Sequence, residues 1–308
     1  MSDRILAAIR SVPWAIMPGY LEAIEALALR ALDHPAVQSV AEDGHVERHL
    51  EAVAVMGDRV AGTRSAAIRD GVGALPIFGP ILPRAAMLNP SGGGAVALDL
   101  LAADFRVLQA DNAVRKILLV VDSPGGVTTD VAQFARLVAQ STKPVVAHVT
   151  GMGCSAAYWI ISQAREISLD ATAMVGSIGV MMGGSVQETP DQAGRREIAI
   201  VSKSAPNKRP DLTTEDGRAV VQGTVDAIED VFIAAVAAGR GVSTADVITN
   251  FGQGGTLAGA PAVKAGMADR VETDGLDGAI RRLSARNPST RRTAAENTLK
   301  LAQARAGL

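Results

Sequence analysis

Aromatic side chains are scarce in this sequence: two tryptophans, two tyrosines and five phenylalanines make up 3% of its 308 residues. A surface that stacks nucleobases needs a supply of such rings, so that class of function is disfavoured. A dominant sign of charge is missing too. The 30 basic and 32 acidic residues leave a net charge of −2, which gives no basic field to draw in nucleic acid. There is one cysteine, Cys154, which excludes an intrachain disulfide and fits a reducing compartment. The opening stretch "MSDRILAAIRSVPWAIMPGYLEAIEAL" lacks an uninterrupted apolar run, because Arg10, Pro13 and Pro18 break it. Neither a signal peptide nor a membrane span is expected, and the expected setting is cytoplasmic, not secreted.

What the chain does have is apolar mass. Hydrophobic residues make up 48%, enough for one large core or two small ones. Tyr20–Asp33 has helical periodicity. Residues 36–70 are polar and irregular and read as a connector. Gly73–Arg84, "GALPIFGPILPR", is an apolar run broken by prolines, as at edge strands and crossings, and "SGGG" (Ser91–Gly94) reads as a loop. The chain then alternates. Val96–Asp111 predicts a helix, "KILLVVDS" a strand, Thr129–Gln140 a helix, "KPVVAHV" a strand, and Ser155–Ala164 a helix. "EISL" and "EIAIVS" predict further strands, and Glu215–Ala238 a long helix opened by Thr213 or Thr214. That rhythm means βαβ units and a buried, mostly parallel sheet, an α/β fold. The sequence from Ser284 onward is polar and basic and reads as a tail. The expected division is a helical extension and connector over 1–70, one domain over 71–283, and the tail over 284–308.

Four pieces carry candidate chemistry. In "VVDSPGGVTTD" (Val120–Asp130) a strand ends in Pro-Gly-Gly, whose backbone N–H groups are free to face an anion, and Gly126 has no side chain to block a close peptide. The same stretch also reads as an ordinary strand-to-helix turn. In "HVTGMGCSAAYWIISQA" (His148–Ala164), Ser155 stands among small residues where a strand gives way to a helix, with its Oγ expected to be exposed. The alternative is a simple helix cap, and Cys154 reads as a buried filler rather than a nucleophile. In "MVGSIGVMM" (Met174–Met182), Ser177 needs a polar partner if buried. The fourth piece is a base. None of the four histidines, His34, His45, His49 and His148, follows Ser155. The first three lie in a polar region, and His148 sits inside a strand. A lysine can replace histidine where burial favours the neutral amine. "SKSAPNKRPD" holds Lys203 and Lys208.

Together these pieces resemble the serine peptidases of the signal peptide peptidase A (protease IV) family, within the Clp protease/crotonase fold. The match runs from "GALPIFGPI" to "AGMADRVE". It comprises the PGG turn, "CSAAYW" for an A-S-G-G-Y motif, "GSIGV", an S-G-x-x-K motif, and "GAPAVKAGMAD" for the family's G-x-x-A-x-x-x-G-L-x-D stretch. The resemblance implies a ββα spiral with a mostly parallel sheet. It implies Ser155 as nucleophile, Lys208 as general base and Ser177 as the residue that orients the lysine. Gly126 and the N–H of Ala156 would form the oxyanion hole. A substrate strand would lie beside Gly73–Leu82 or Pro124–Val127, with Gly125 and Val127 in contact. Two departures stand out: Ala156-Ala157 replaces the glycine pair, and the lysine motif reads Ser204-Ala205-Pro206-Asn207-Lys208, which leaves Lys203 as a second candidate.

Within that family the start "PWAIMPGYLEAIEALALR" and "NKRPDLTTEDGR" resemble the phage branch, which processes scaffold and capsid proteins inside proheads. The expectations are a homo-oligomer acting on scaffold or capsid proteins in the host cytoplasm or prohead interior. No nucleic acid, membrane anchor, metal or other cofactor is expected. The alternatives are a cellular signal-peptide or protein-degrading peptidase, an acyl-CoA enzyme of the same fold, or a capsid-associated protein with a vestigial site.

Overall fold

The run Ile117–Val121 has no polar face, so a strand built from it must be covered on both sides. The computed structural model, which describes residues 6, 9–33, 54–84, 95–183 and 201–285, places it at the middle of a sheet. In chain order, β1 is Trp14–Ile16 and α1 Pro18–Asp33, followed by β2 (Asp58–Arg59), β3 (Ala67–Arg69), β4 (Val72–Phe78), β5 (Ile81–Leu82) and β6 (Val96–Ala97). Then come α2 (Leu98–Ala110), β7 (Lys116–Ser123), β8 (Gly125–Val127), α3 (Val131–Ala139) and β9 (Val145–Cys154). These lead to α4 (Ala156–Ile161), β10 (Glu166–Leu169), β11 (Met174–Gly176) and a short 3-10 turn at Pro206–Lys208. The remainder is α5 (Glu215–Arg240), α6 (Thr244–Asn250), β12 (Thr256–Ala258), α7 (Gly259–Lys264), β13 (Arg270–Val271) and α8 (Gly275–Ser284).

The larger sheet runs β12-β11-β9-β7-β4-β3-β2, and β10 joins both β9 and β13. Its centre, β4, β7, β9 and β10, is parallel. A smaller sheet runs β1-β8-β5-β6. The period-2 alternation of β7 sends Ile117, Leu119 and Val121 to one face, where they join Phe105 of α2, Phe134 of α3 and Trp159 of α4. Leu118 and Val120 face the other way and meet Ile280 and Leu283 of α8. Trp159 stacks on Phe232 of α5, with ring centroids 4.6 Å apart. This is the mostly parallel α/β architecture of the Clp protease/crotonase fold.

Several boundaries differ from the sequence reading. Gly73–Arg84 does not supply an edge of the larger sheet: β4 lies inside it. Pro76 is tolerated there because β3 pairs only with Val72–Ala74, so one side of β4 carries no ladder at the proline. The helix expected from Val96 begins at Leu98, since Val96 and Ala97 pair with Ile81 and Leu82. The connector read over 36–70 contributes β2 and β3. Thr214, not Thr213, caps α5, accepting from the N–H of Gly217 at 3.1 Å. His34, His45, His49, Ser91–Gly94, most of "EIAIVS" and nearly all of the basic tail lie outside the described residues.

His148 is the buried polar residue of β9. Its Nδ1 lies 3.0 Å from Ser168 Oγ, and its Nε2 lies 3.3 Å from Asp170 Oδ1, too poorly aligned for a hydrogen bond. Burial holds the imidazole below its ordinary value, outweighing the pull of Asp170 and Glu272, while Arg282 pushes the same way as burial. Above about pH 6.5, the unfolded value, both states are neutral and His148 has no effect. Below that, the unfolded chain binds a proton that the folded chain refuses, so stability falls by about 1.4 kcal/mol per pH unit until the folded value is reached. His148→Gln is expected to flatten that part of the acid dependence, read as melting temperature between pH 8 and pH 5. An unchanged wild-type slope in the variant contradicts this assignment.

Candidate active site

The site begins with an irregularity between two strands. β7 and β9 run in step to Val121↔Val149, but the next pair is Ser123↔Gly153, so β9 carries two extra residues. Asp122 secures the bulge: its Oδ1 accepts from the N–H of Met152 at 2.9 Å. A side chain on Gly151 would begin 2.5 Å from the same oxygen. Beyond the bulge the chain turns sharply at Ser155, with φ +57° and ψ −120°. Positive φ on a residue other than glycine costs about 1–3 kcal/mol and persists only when its surroundings enforce it. Here the N–H of Ser155 donates to the Gly176 carbonyl at 2.7 Å, and the Ser155 carbonyl accepts from the N–H of Trp159 at 2.9 Å.

Ser155 stands at the N-cap position of α4, yet its side chain makes no capping bond. The cap reading therefore does not hold. Its Oγ is buried with no hydrogen-bond partner among the described residues. The expectation of an exposed hydroxyl is corrected: Ser155 is 1% accessible, because β8, with β1 paired to it, lies across the junction.

The Pro-Gly-Gly turn meets Ser155 directly. Ser123 fixes the turn, donating from Oγ to the Gly79 carbonyl at 2.7 Å and accepting from the N–H of Gly125 at 3.2 Å. A side chain at Gly125 (φ +98°) would begin 2.2 Å from the Ala15 carbonyl oxygen, 2.8 Å from Ser155 Cβ and 3.0 Å from the Ala156 nitrogen. At Gly126 it would begin 1.9 Å from the Ile81 carbonyl oxygen. Both glycines are thus required by close backbone approach. Val127 is buried with Trp14, Ile16 and Leu21.

The structure brings Ser155, Ala156 and Gly125 together, with Gly126 next along β8. Ser177 is nearly buried beside them, at φ +52°, its N–H donating to the Gly255 carbonyl at 2.7 Å. Its chain neighbour Gly176 is the residue that receives the N–H of Ser155. Lys208 ends the 3-10 turn, where its N–H donates to the Ala205 carbonyl at 3.1 Å. Its side chain is exposed, as is that of Lys203, and neither bonds to Ser155. Burial pushes the Cys154 thiol up to about 12, so it is a neutral filler, with Sγ 3.7 Å from the Met174 carbonyl. Asp122 and Ser123 lie within Val120–Asp130, but local sequence signals no role for them. Their work depends on strand partners far along the chain.

The fold that carries this site is the Clp protease/crotonase architecture. Residues 137–287 match the model of Peptidase family S49. The chain is 29% identical over 235 residues to Capsid assembly protease C of Escherichia phage lambda, covering 72% of this chain and 53% of that protein. It is 29% identical over 208 residues to the Head-tail preconnector protein GP5 of Enterobacteria phage P21, covering 66% and 41%. It is 28% identical over 184 residues to Protease 4 of Haemophilus influenzae, covering 56% and 29%. The chain thus spans about half, or less, of the length of these relatives. Among the described residues no single helix is long and apolar enough to cross a membrane.

Proposed function

We propose that this chain is a serine endopeptidase that uses Ser155 as nucleophile and Lys208 as general base to process scaffold or capsid proteins. The observation that carries the reading is the Ser155 hydroxyl: buried, unpartnered among the described residues, and held at positive φ beside Gly125 and Ala156. In the proposed reaction Lys208 takes the Ser155 proton as Oγ attacks a peptide carbonyl. The N–H groups of Gly126 and Ala156 hold the oxyanion, and each such donor is worth about 10²–10³ in rate. The lysine then passes the proton to the leaving amine, and water hydrolyses the acyl-enzyme. Ser177 orients the lysine. The likeness to a capsid assembly protease supports the capsid setting. An acyl-CoA enzyme that needs only the two N–H groups has no use for a strained serine between them.

The test is a fluorophosphonate probe followed by peptide mapping, with label expected on Ser155. Folded protein that stays unlabelled overturns the reading.

Lys208 is exposed in the single chain, and a lysine base works in a dry site. A second copy of the chain is the proposed cover. Sedimentation is expected to show a homo-oligomer at working concentration; a 31.7 kDa monomer that cleaves peptide at full rate contradicts it.

A further inference from the structure

An extended substrate binds a peptidase of this kind by adding a strand, and a strand needs an edge. The strand that meets Ser155, β8, leaves none: it has β1 on one side and β5 on the other, and β5 is taken by β6. β4 pairs with β7 along its length and with β3 only over Val72–Ala74. The strand that occupies the position expected of a substrate comes from the chain itself. β1 runs antiparallel to β8 with Trp14↔Val127, Ala15↔Gly126 and Ile16↔Gly125. The pairing extends at both ends: the N–H of Thr128 donates to the Pro13 carbonyl at 3.2 Å, and the N–H of Met17 to the Pro124 carbonyl at 3.0 Å.

The other edge of β1 is held as well. Trp14 and Met181 exchange two backbone hydrogen bonds of 2.8 Å each, and the N–H of Gly183 donates to the Arg10 carbonyl at 3.0 Å. The strand is therefore gripped along Pro13–Met17 by the Pro-Gly-Gly strand and at Trp14 by the segment following Ser177. The Ala15 carbonyl oxygen and Ser155 Cβ both lie within 3 Å of the point where a side chain on Gly125 would begin. Trp14 and Ile16 anchor the strand in an apolar cluster with Val127 and Leu21, against Leu82 and Met181. The cover over Ser155 is thus made partly of the chain's own backbone.

We propose that the slot between β8 and Met181 is the peptide groove and that Pro13–Met17 is its internal occupant, a strand that a substrate must displace. The proposal rests on the reading of Ser155 as nucleophile. It fixes the polarity of the substrate, antiparallel to β8, and its small residue at the position of Ala15, opposite Gly126. It makes the activity of the resting chain a fraction set by how often β1 leaves. With β1 seated in about nine molecules of ten or more, release raises the accessible fraction about tenfold or more.

Two full-chain variants test this with the fluorophosphonate probe. Ile16→Asp puts a charge in the apolar cluster and is expected to label at Ser155 at least about tenfold faster than wild type, since the closed population is lost. Trp14→Cys with Met181→Cys joins the occupant to the groove wall; reciprocal hydrogen-bonded pairs sit about 5.5 Å apart at Cα, within disulfide reach. The oxidised form is expected not to label, and thiol reduction to restore labelling. The proposal is overturned if folded Ile16→Asp labels at the wild-type rate, or if the cross-linked form labels as fast as the reduced one. Adding Ser155→Ala to each separates the two readings. Label that persists without Ser155 sinks the nucleophile; label that vanishes without Ser155 but ignores β1 sinks only the occupant.

Discussion

Ser155→Ala is expected to abolish peptide cleavage, by a factor on the order of 10⁴ or more, and to leave the fold intact or slightly more stable. The two halves of this result have one origin. The hydroxyl is buried without a hydrogen-bond partner among the described residues, so none of the bonds they make is lost when it is removed. Relieving an unsatisfied buried polar group is worth about 1 kcal/mol or more, so the melting temperature holds or rises. The backbone strain is unaffected, because alanine meets the same clash at φ +57° as serine does. A structural serine behaves in the opposite way: its loss leaves a former partner stranded and lowers stability with little direct effect on chemistry. Cleavage of a capsid or scaffold substrate by folded Ser155→Ala at the wild-type rate would falsify the assignment. Cys154→Ala is the matched control. Its thiol is buried and held neutral, and it is expected to keep substantial activity.

How far the sequence reveals this arrangement depends on where the determining contacts lie. β7 and β10 match the readings "KILLVVDS" and "EISL" residue for residue, since each is a short apolar run with abrupt polar or glycine-proline boundaries. Ser155 stands out as a candidate by its small neighbours, a purely local signal. β1 does not, because three residues between Pro13 and Pro18 have no periodicity of their own. Trp14–Ile16 become a strand only because β8 and Met181 offer hydrogen bonds on both sides. The bulge that aims Ser155 is equally long-range: Asp122 binds Met152 thirty residues on. The exposure expected for Ser155 failed for the same reason, since what covers it comes from another part of the chain.

The base is the remaining step, and its variants separate candidates that local sequence leaves open. Lys208→Met keeps most of the stem and removes the amine. It is expected to reduce cleavage by on the order of 10³ or more, as loss of a unit acting with the nucleophile does. The melting temperature should hardly move, because Lys208 is exposed and its backbone bond to Ala205 does not involve the side chain. Lys208→Arg is expected to fail as well, since a guanidinium stays protonated and cannot accept the Ser155 proton. Were the cation needed only for charge, arginine would rescue, so this pair of variants distinguishes a base from an electrostatic partner. Lys203→Met is expected to be mild. An active Lys208→Met beside a dead Lys203→Met moves the base five residues along the same loop and keeps the dyad. If both lysine variants cleave at full rate and His148→Gln does not, the lysine mechanism itself is wrong. That last outcome runs against the geometry of His148, which is fully buried between Ser168 and Asp170 in β9 and faces neither Ser155 nor the Pro-Gly-Gly turn with a hydrogen bond.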